Sequence, residues 1–216
     1  YLVKNIKVNY NSEITNIKFN SKFWVITINN KDKVFFKHLI LTCPYAQSKK
    51  LASNYIKKNS NLNVKMTPNI TIMVAYKNYK KLPINSIKFN DEMIAWGAQE
   101  NTKNRFKTNL ILWTLQCTEI FSKKIINLFK KNRNKYQLIV LRKFQDLLGY
   151  RIKNITFSII HGWKYSYNKI STKDECFWNS QINLGICADW FKGPQAEDAW
   201  LSANSLYKDI KKNPPK

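Results

Sequence analysis

Histidine is almost missing from this chain: His38 and His161 are the only two. No pair of ligand-type residues stands at a metal-binding spacing, so metal chemistry is set aside. Cysteine is also sparse. Cys43, Cys117, Cys176 and Cys187 are scattered, each in an apolar context and none in a C-x-x-C pair. That pattern predicts buried, reduced thiols and argues against a disulfide framework. No apolar run reaches the length of a membrane span and no signal peptide is visible, which points to a cytoplasmic protein with no membrane partner. Also absent are a G-x-S-x-G elbow, a Walker loop, an acid pair at hydrolase spacing and a G-x-G-x-x-G turn. The chain begins at Tyr1 without an initiator Met, as a piece of something longer would.

Acidic residues are scarce too, at 13 Asp and Glu against 37 Lys and Arg, for a formal charge of +24. Such an excess raises a basic nucleic-acid-binding module as one reading. Lys and Asn are heavy throughout, however, rather than gathered in one tail. The densest basic stretch, 123–143, interleaves with Phe121, Ile125, Leu128, Leu141 and Phe144 at helical spacing. That is the wet side of amphipathic helices, and the diffuse charge makes nucleic acid the weaker reading. Hydrophobic residues at 44% of 216 argue for a folded chain with a real core.

Taken in order, 1–9, 12–19 and 22–29 read as strands, with turn chemistry at Asn29-Asn30-Lys31-Asp32. The run 34–43 returns as a strand whose end, Leu39-Ile40-Leu41, is apolar on both faces and is expected to be covered and central. Pro44 ends it, and a helix is predicted over 46–58 with Leu51, Ala52, Tyr55 and Ile56 inward. Segments 69–77, 86–90, 93–99 and 109–117 read as an antiparallel meander. Helices over 119–131 and 136–148 follow, the second closed by Gly149, then a long strand over 154–167.

The stretch 184–210 has the grammar of a strand, a strand-end acid, a loop and a capped helix. Asp189 stands where the apolar run stops. Pro194 suits the helix's first turn, Glu197 and Asp198 its positive end, and Lys208, Lys211 and Lys212 its negative end. Ala199, Ala203, Leu206, Tyr207 and Ile210 fall on one predicted inward face. Two readings of Asp189 stand on spacing alone: a carboxylate accepting from a sugar or ribityl hydroxyl beside a helix N-terminus, or a loop aspartate capping its own turn. His161 is either an acid/base group or, with no partner acid fixed by sequence, a structural histidine. Trp163, Tyr165 and Tyr167 alternate on one strand face, as a wall for a flat ligand or as core. Trp96 and Trp113 share that ambiguity.

The segments LILTCPYAQ (39–47), HGWKYSY (161–167) and LGICADWFKGPQAEDAWLSANSL (184–206) occur in an order that resembles renalase-like flavoproteins, a branch of the flavin amine oxidase family. The resemblance runs from about residue 12 to 207. It implies a mixed α/β and α+β fold: the later part of an FAD/NAD(P)-binding Rossmann-like domain carrying an inserted antiparallel-sheet-plus-helices substrate domain. The implied boundaries are 1–48 and 184–212 for the FAD-domain parts and 49–183 for the substrate domain. The implied cofactor is FAD. The implied reaction takes a hydride equivalent from an amine-like or dihydropyridine-like small-molecule donor to the flavin N5. Asp189 would meet the ribityl-phosphate part, with Ala196 and Glu197 presenting amides to the flavin pyrimidine edge. Thr42 and Pro44 would line the groove, and the Ile14 backbone would lie near adenine. Trp163 and Tyr165, with His161 as a further candidate, would face the substrate, and Ala203 would let the helix approach the sheet. No catalytic residue is implied.

Three departures stand out. Ala188 replaces the usual Gly before the acid, where a methyl is expected to restrict the backbone and crowd the pyrophosphate. Asp198 replaces another Gly and adds negative charge. The family's N-terminal strand–G-x-G-x-x-G–helix is missing, so this chain alone is expected to be inactive and to need that half as a partner. A flavoprotein relic without catalysis is the further alternative.

Overall fold

Alternation of large apolar residues with small or polar ones sets the first strands. The computed structural model describes residues 4–56, 64–77, 83–105 and 107–215. Strands β1 (Ile14–Phe19), β2 (Trp24–Ile28) and β3 (Asp32–Phe36) form an antiparallel sheet in sequence order. Trp24 and Ile26 point into the core, where the Trp24 indole N–H donates to the Ile182 carbonyl at 2.7 Å. Asn29 and Asn30 turn the β2–β3 hairpin with φ of 51° and 61°, a left-handed conformation that Asn tolerates. The Asn29 side chain also holds the incoming chain, accepting from the Glu13 N–H and donating to the Asn11 carbonyl. Residues 4–9 form turns and coil rather than the expected strand, and 1–3 lie outside the described residues. An extended run without a partner strand has nothing to satisfy its backbone groups but water.

The run 34–43 is two strands. After β3 the chain leaves the first sheet at Lys37-His38 and enters a second as β4 (Leu39–Leu41). Helix α1 (Tyr45–Ala52) follows, shorter than the predicted 46–58, of which 57 and 58 lie outside the described residues. Leu51, Tyr55 and Ile56 still pack on the core around a fully buried Ala52.

The middle of the chain forms a five-stranded sheet from β5 (Lys65–Tyr76), β6 (Ser86–Lys88), β7 (Ile94–Gln99), β8 (Ile111–Cys117) and β9 (Ile155–Ile170). Its order is β6-β7-β8-β5-β9, so it is not a meander throughout: β5 pairs with β8 rather than with β6. Ile70, Ile72, Val74 and Tyr76 of β5 and Trp113, Leu115 and Cys117 of β8 face one way. They meet helices α2 (Glu119–Ile125) and α3 (Arg133–Leu148) through Ile125, Val140, Leu141 and Phe144. The Thr118 hydroxyl caps α2 by accepting from Phe121. Gly149, at φ 71°, closes α3 in the left-handed conformation, and the Tyr150 N–H reaches back to the Gln145 carbonyl.

Strand β10 (Phe177–Asn179) then pairs antiparallel with β11 (Leu184–Ile186), which runs parallel to β4, and helix α4 (Ala196–Lys212) ends the fold. In the sheet order β10-β11-β4, β4 is the outer strand among those described, and Ile40 is 49% exposed. It is therefore not the covered central strand that its apolar run suggests.

Two compact units result: Tyr1–Met66 with Asn168–Lys216, and Thr67–Tyr167. This division lies at 66/67 and 167/168, whereas the sequence implies boundaries at 48/49 and 183/184. Each unit has its own core, one around Trp24, Ile186, Trp190 and Phe191, the other around Ile72, Trp113, Leu115 and Phe144. All four cysteines are free, with Cys117 and Cys187 buried and Cys43 and Cys176 half-buried. Burial pushes the Cys117 thiol up to about 12, which keeps it unreactive. Among the described residues no helix is long and apolar enough to cross a membrane.

Candidate functional site

In the first unit, β4 and β11 lie side by side and parallel, Leu39 opposite Leu184 and Leu41 opposite Ile186. The Cys187 N–H extends the ladder by donating to the Leu41 carbonyl at 3.1 Å. Thr42 and Pro44 beyond one strand are thereby brought beside Ala188 and Asp189 beyond the other. A crevice outside the carboxyl ends of parallel strands is where α/β sheets hold ligands. Thr42 is exposed there, while Pro44 is half-buried as the residue preceding α1.

Asp189 opens a one-turn 3-10 helix, Asp189–Phe191. Its carbonyl accepts from both Lys192 and Gly193 at 2.9 Å, and its carboxylate accepts from the Trp190 N–H at 2.8 Å. The carboxylate thus bonds the backbone N–H that follows it, and the turn has no side-chain cap. Burial, the largest influence, raises the Asp189 carboxyl above its ordinary value, and the nearby Asp198 carboxylate pushes the same way. The N–H of Trp190 and its own N–H oppose this without cancelling it.

Trp190, which sequence reading left unremarked, fixes the turn. Its indole N–H donates to the Cys43 carbonyl at 3.1 Å, and its ring lies against Phe191 and Tyr45 with centroids 4.0 and 5.3 Å away. One fully buried tryptophan thus ties the strand-end acid to the β4–α1 junction. The apolar pair WF directly after an acid is the signal that could have revealed it.

Ala188 is buried and extended, with φ −170° and ψ 171°. Any residue adopts that backbone, so the expected restriction by its methyl is absent. Its N–H donates to the Ser202 hydroxyl at 3.2 Å, and that hydroxyl donates to the Glu175 carbonyl at 2.7 Å. Ser202 is the fully buried small residue of α4, whereas Ala203 is exposed and Tyr207 is 57% exposed. The inward face of the helix is accordingly rotated from the predicted stripe toward Ser202 and Leu206. The close approach comes from the strand: a Cβ on Gly185 would stand 3.0 Å from the Leu206 side chain.

The start of α4 is a capping box. Gln195 is the N-cap, so Pro194 lies just outside the helix rather than in its first turn, and the Asp198 carboxylate accepts from the Gln195 N–H at 2.9 Å. A Cβ on Gly193 would run into that carboxylate, which explains a glycine in the loop. Lys192 pairs with Glu175, whose other oxygen accepts from the Ser205 hydroxyl at 2.7 Å, so the loop is tied to the helix it precedes. Ala196 and Glu197 are exposed first-turn residues whose N–H groups have no acceptor within the helix. Ile14 stands apart from this cluster, in β1 at a register shift with β2.

In the second unit the helices cover one sheet face. Odd-numbered β9 residues lie opposite buried Ile160, on the other face, together with Met73 of β5 and Leu112 and Thr114 of β8. Met73, Phe157, Ile159 and Trp163 are each about half exposed, at 44, 54, 45 and 49%. His161 and Trp163 pack with ring centroids 4.3 Å apart, and Tyr165 is the next residue along that face. The three candidates HGWKYSY offers therefore share the open face. Trp113, on the covered side, is core. Met73 and Phe157 escaped the sequence reading because a half-buried strand alternates two apolar sets, and composition does not say which one a helix covers.

No protein-family model matches the chain, and no curated protein matches it. Solved structures share its fold. A protein assigned as a protoporphyrinogen oxidase from Exiguobacterium sp. 255-15 superposes over 93% of this chain and 46% of its own, with a TM-score of 0.69 and 12% identity. A putrescine oxidase with putrescine bound covers 93% of this chain and 49% of its own, at TM-score 0.64 and 9% identity. An oxidoreductase from Methanosarcina mazei covers 91% and 49%, at 0.58 and 10%. The chain spans about half the length of each. At these identities the likeness is one of fold: the mixed α/β fold of this chain, with its antiparallel sheets, is shared with part of each of these structures.

Proposed function

We propose that this chain is the later part of an FAD-dependent oxidoreductase of the amine-oxidase type, the first unit closing the cofactor site and the second carrying the substrate face. The observation that carries this reading is the parallel pairing of β4 and β11, whose carboxyl ends lead to Thr42 and Asp189 shortly before the N-terminus of α4, in a fold shared with oxidases over nearly the whole chain. The residues present fit one part of FAD. Asp189 and Asp198 gather negative charge at the strand end, which suits ribityl hydroxyls as donors and repels a pyrophosphate. The pyrophosphate half is assigned to a partner segment with a strand–G-x-G-x-x-G–helix. The outer position of β4 and its half-exposed Ile40 offer that segment a sheet edge.

The chemistry FAD supplies when bound is acceptance of a hydride equivalent at N5 from an amine-like or dihydropyridine-like donor. This chain's own residues bind and orient. Ala196 and Glu197 turn first-turn amides toward charge on the flavin pyrimidine edge. Trp163 and Tyr165 wall the donor side and exclude water. A second reading, a relic that no longer binds flavin, is favoured by one observation: the Asp189 carboxylate is already engaged by the Trp190 N–H.

The test is to join the chain to the partner half and purify the product. A yellow protein with flavin absorbance is expected. A folded, colourless product overturns the enzyme reading. Steeply salt-sensitive nucleic-acid binding by that product would favour the basic-module alternative.

A further inference from the structure

The open face of the second unit's sheet has a groove of about 410 Å³, within the size range of small-molecule sites. Met73, Leu112 and Phe157 form its apolar floor, and Glu100, Lys103 and Arg105 stand at one rim. The rim is a 3-10 turn, Glu100–Lys103, fixed to the sheet from inside. The Asn101 side chain donates to the Leu110 carbonyl and accepts from the Leu112 N–H, both at 2.8 Å. The Thr102 hydroxyl donates to the Gln99 carbonyl at 2.8 Å, and Asn104 reverses the chain at φ 50°. The turn that carries Glu100 and Lys103 is thus formed before any ligand arrives, and Arg105 follows it two residues on.

Their charges do not cancel. Burial alone would raise the Glu100 carboxyl, but hydrogen bonds from Lys103 and Thr114 and the charges of Lys103 and Arg105 hold it below its ordinary value. It is an anion at neutral pH, and Lys103 meets it at 2.7 Å. With that pair formed, the Arg105 guanidinium is left as one excess positive charge beside an apolar floor. A guanidinium matches a carboxylate in two-point geometry.

We propose that this groove binds the carboxylate end of a small molecule with an apolar body, the body lying along Met73, Leu112 and Phe157 and the carboxylate meeting Arg105. The proposal rests on the reading of the second unit as the substrate domain, and it narrows the donor to molecules that carry such an anionic end. An ammonium at the same end would face the excess positive charge.

The test is calorimetric titration of the chain with decanoate, decanol and decylamine, which share a body and differ in the head group. Decanoate is expected to bind about tenfold tighter than decanol, a factor typical of one charge-assisted contact, with decylamine weakest. In Arg105→Gln the gap between decanoate and decanol is expected to close to about twofold, with decanol unchanged. Met73→Asp, which charges the floor, weakens decanoate and decanol together. Decylamine binding as tightly as decanoate, an undiminished gap in Arg105→Gln, or no binding of any probe overturns the proposal. Flavin retention by the joined protein is scored separately. Decanoate binding with a colourless joined protein defeats the oxidoreductase reading alone, and a yellow protein with no decanoate preference defeats this inference alone.

Discussion

Ser202 holds Ala188: its hydroxyl accepts from the Ala188 N–H at 3.2 Å and donates to the Glu175 carbonyl at 2.7 Å. One buried hydroxyl in α4 therefore sets the strand end on which the candidate cofactor acid stands. Ser202→Ala leaves a buried donor and a carbonyl without that partner, which costs about 1–3 kcal/mol. A lower midpoint in urea, with an unchanged slope, is the expected outcome. Ser202→Thr, which keeps the hydroxyl, should recover part of the loss.

Gly185 faces Leu206 where α4 lies on β11. A methyl there would stand 3.0 Å from one Leu206 Cδ and 3.2 Å from the other. Gly185→Ala is expected to destabilise by about 1–3 kcal/mol, the usual range for overpacking. Combining it with Leu206→Ala should cost less than the sum of the two single changes, measured as a double-mutant cycle.

Asp189 gives a pH signature. Burial and the Asp198 charge raise its folded-state carboxyl above the ordinary 3.8. The folded chain therefore holds this proton more tightly than the unfolded chain does. The resulting stability is fully present below the ordinary value and is lost as pH rises through the raised one. Asp189→Asn keeps an acceptor for the Trp190 N–H but carries no charge. It should raise the melting temperature at about pH 7 and leave it nearly unchanged at about pH 3. An equal shift at both would place the effect in packing rather than charge.

Asp91 has the opposite sign. Its carboxylate accepts from the Met93 and Ile94 N–H groups at 2.8 and 3.0 Å and pairs with Lys143 at 2.7 Å. Burial alone would raise this carboxyl, but the Lys143 and backbone hydrogen bonds lower it below 3.8. Its contribution is present above that ordinary value and is lost as pH falls through the lowered one. Asp91→Ala is expected to cost about 1–3 kcal/mol at neutral pH and less in acid, followed by thermal melts across the range.

Much of this fold is legible where one local rule decides the outcome. Clean alternation at 22–29 gives β2, Asn29-Asn30 gives the turn, Gly149 ends α3, and the strand–acid–loop–helix grammar of 184–210 gives β11 and α4. Tertiary partners decide the rest. Residues 4–9 alternate like a strand but pair with no strand among the described residues. The apolar run at 39–41 reads as covered, yet β4 is the outer strand of its sheet among the described residues, with Ile40 half exposed. The α4 stripe through Ala203 and Tyr207 follows hydrophobicity, while the buried place goes to Ser202 because a strand-end N–H needs an acceptor there. Of the candidate residues, Thr42, Pro44, Ala188 and Asp189 meet at adjacent strand ends, and Ile14 belongs to another sheet. Trp190, which holds that cluster, is marked in the sequence only by the apolar pair WF directly after the acid.

The central claim is that the strand-end acid belongs to a flavin site. The direct measurement is an equilibrium FAD titration of the joined protein and its Asp189→Ala variant, followed by flavin absorbance. Tight binding that weakens about tenfold or more in the variant is predicted, the loss expected for one charge-assisted hydrogen bond. No binding at all, or equal affinity in the two proteins, would contradict it.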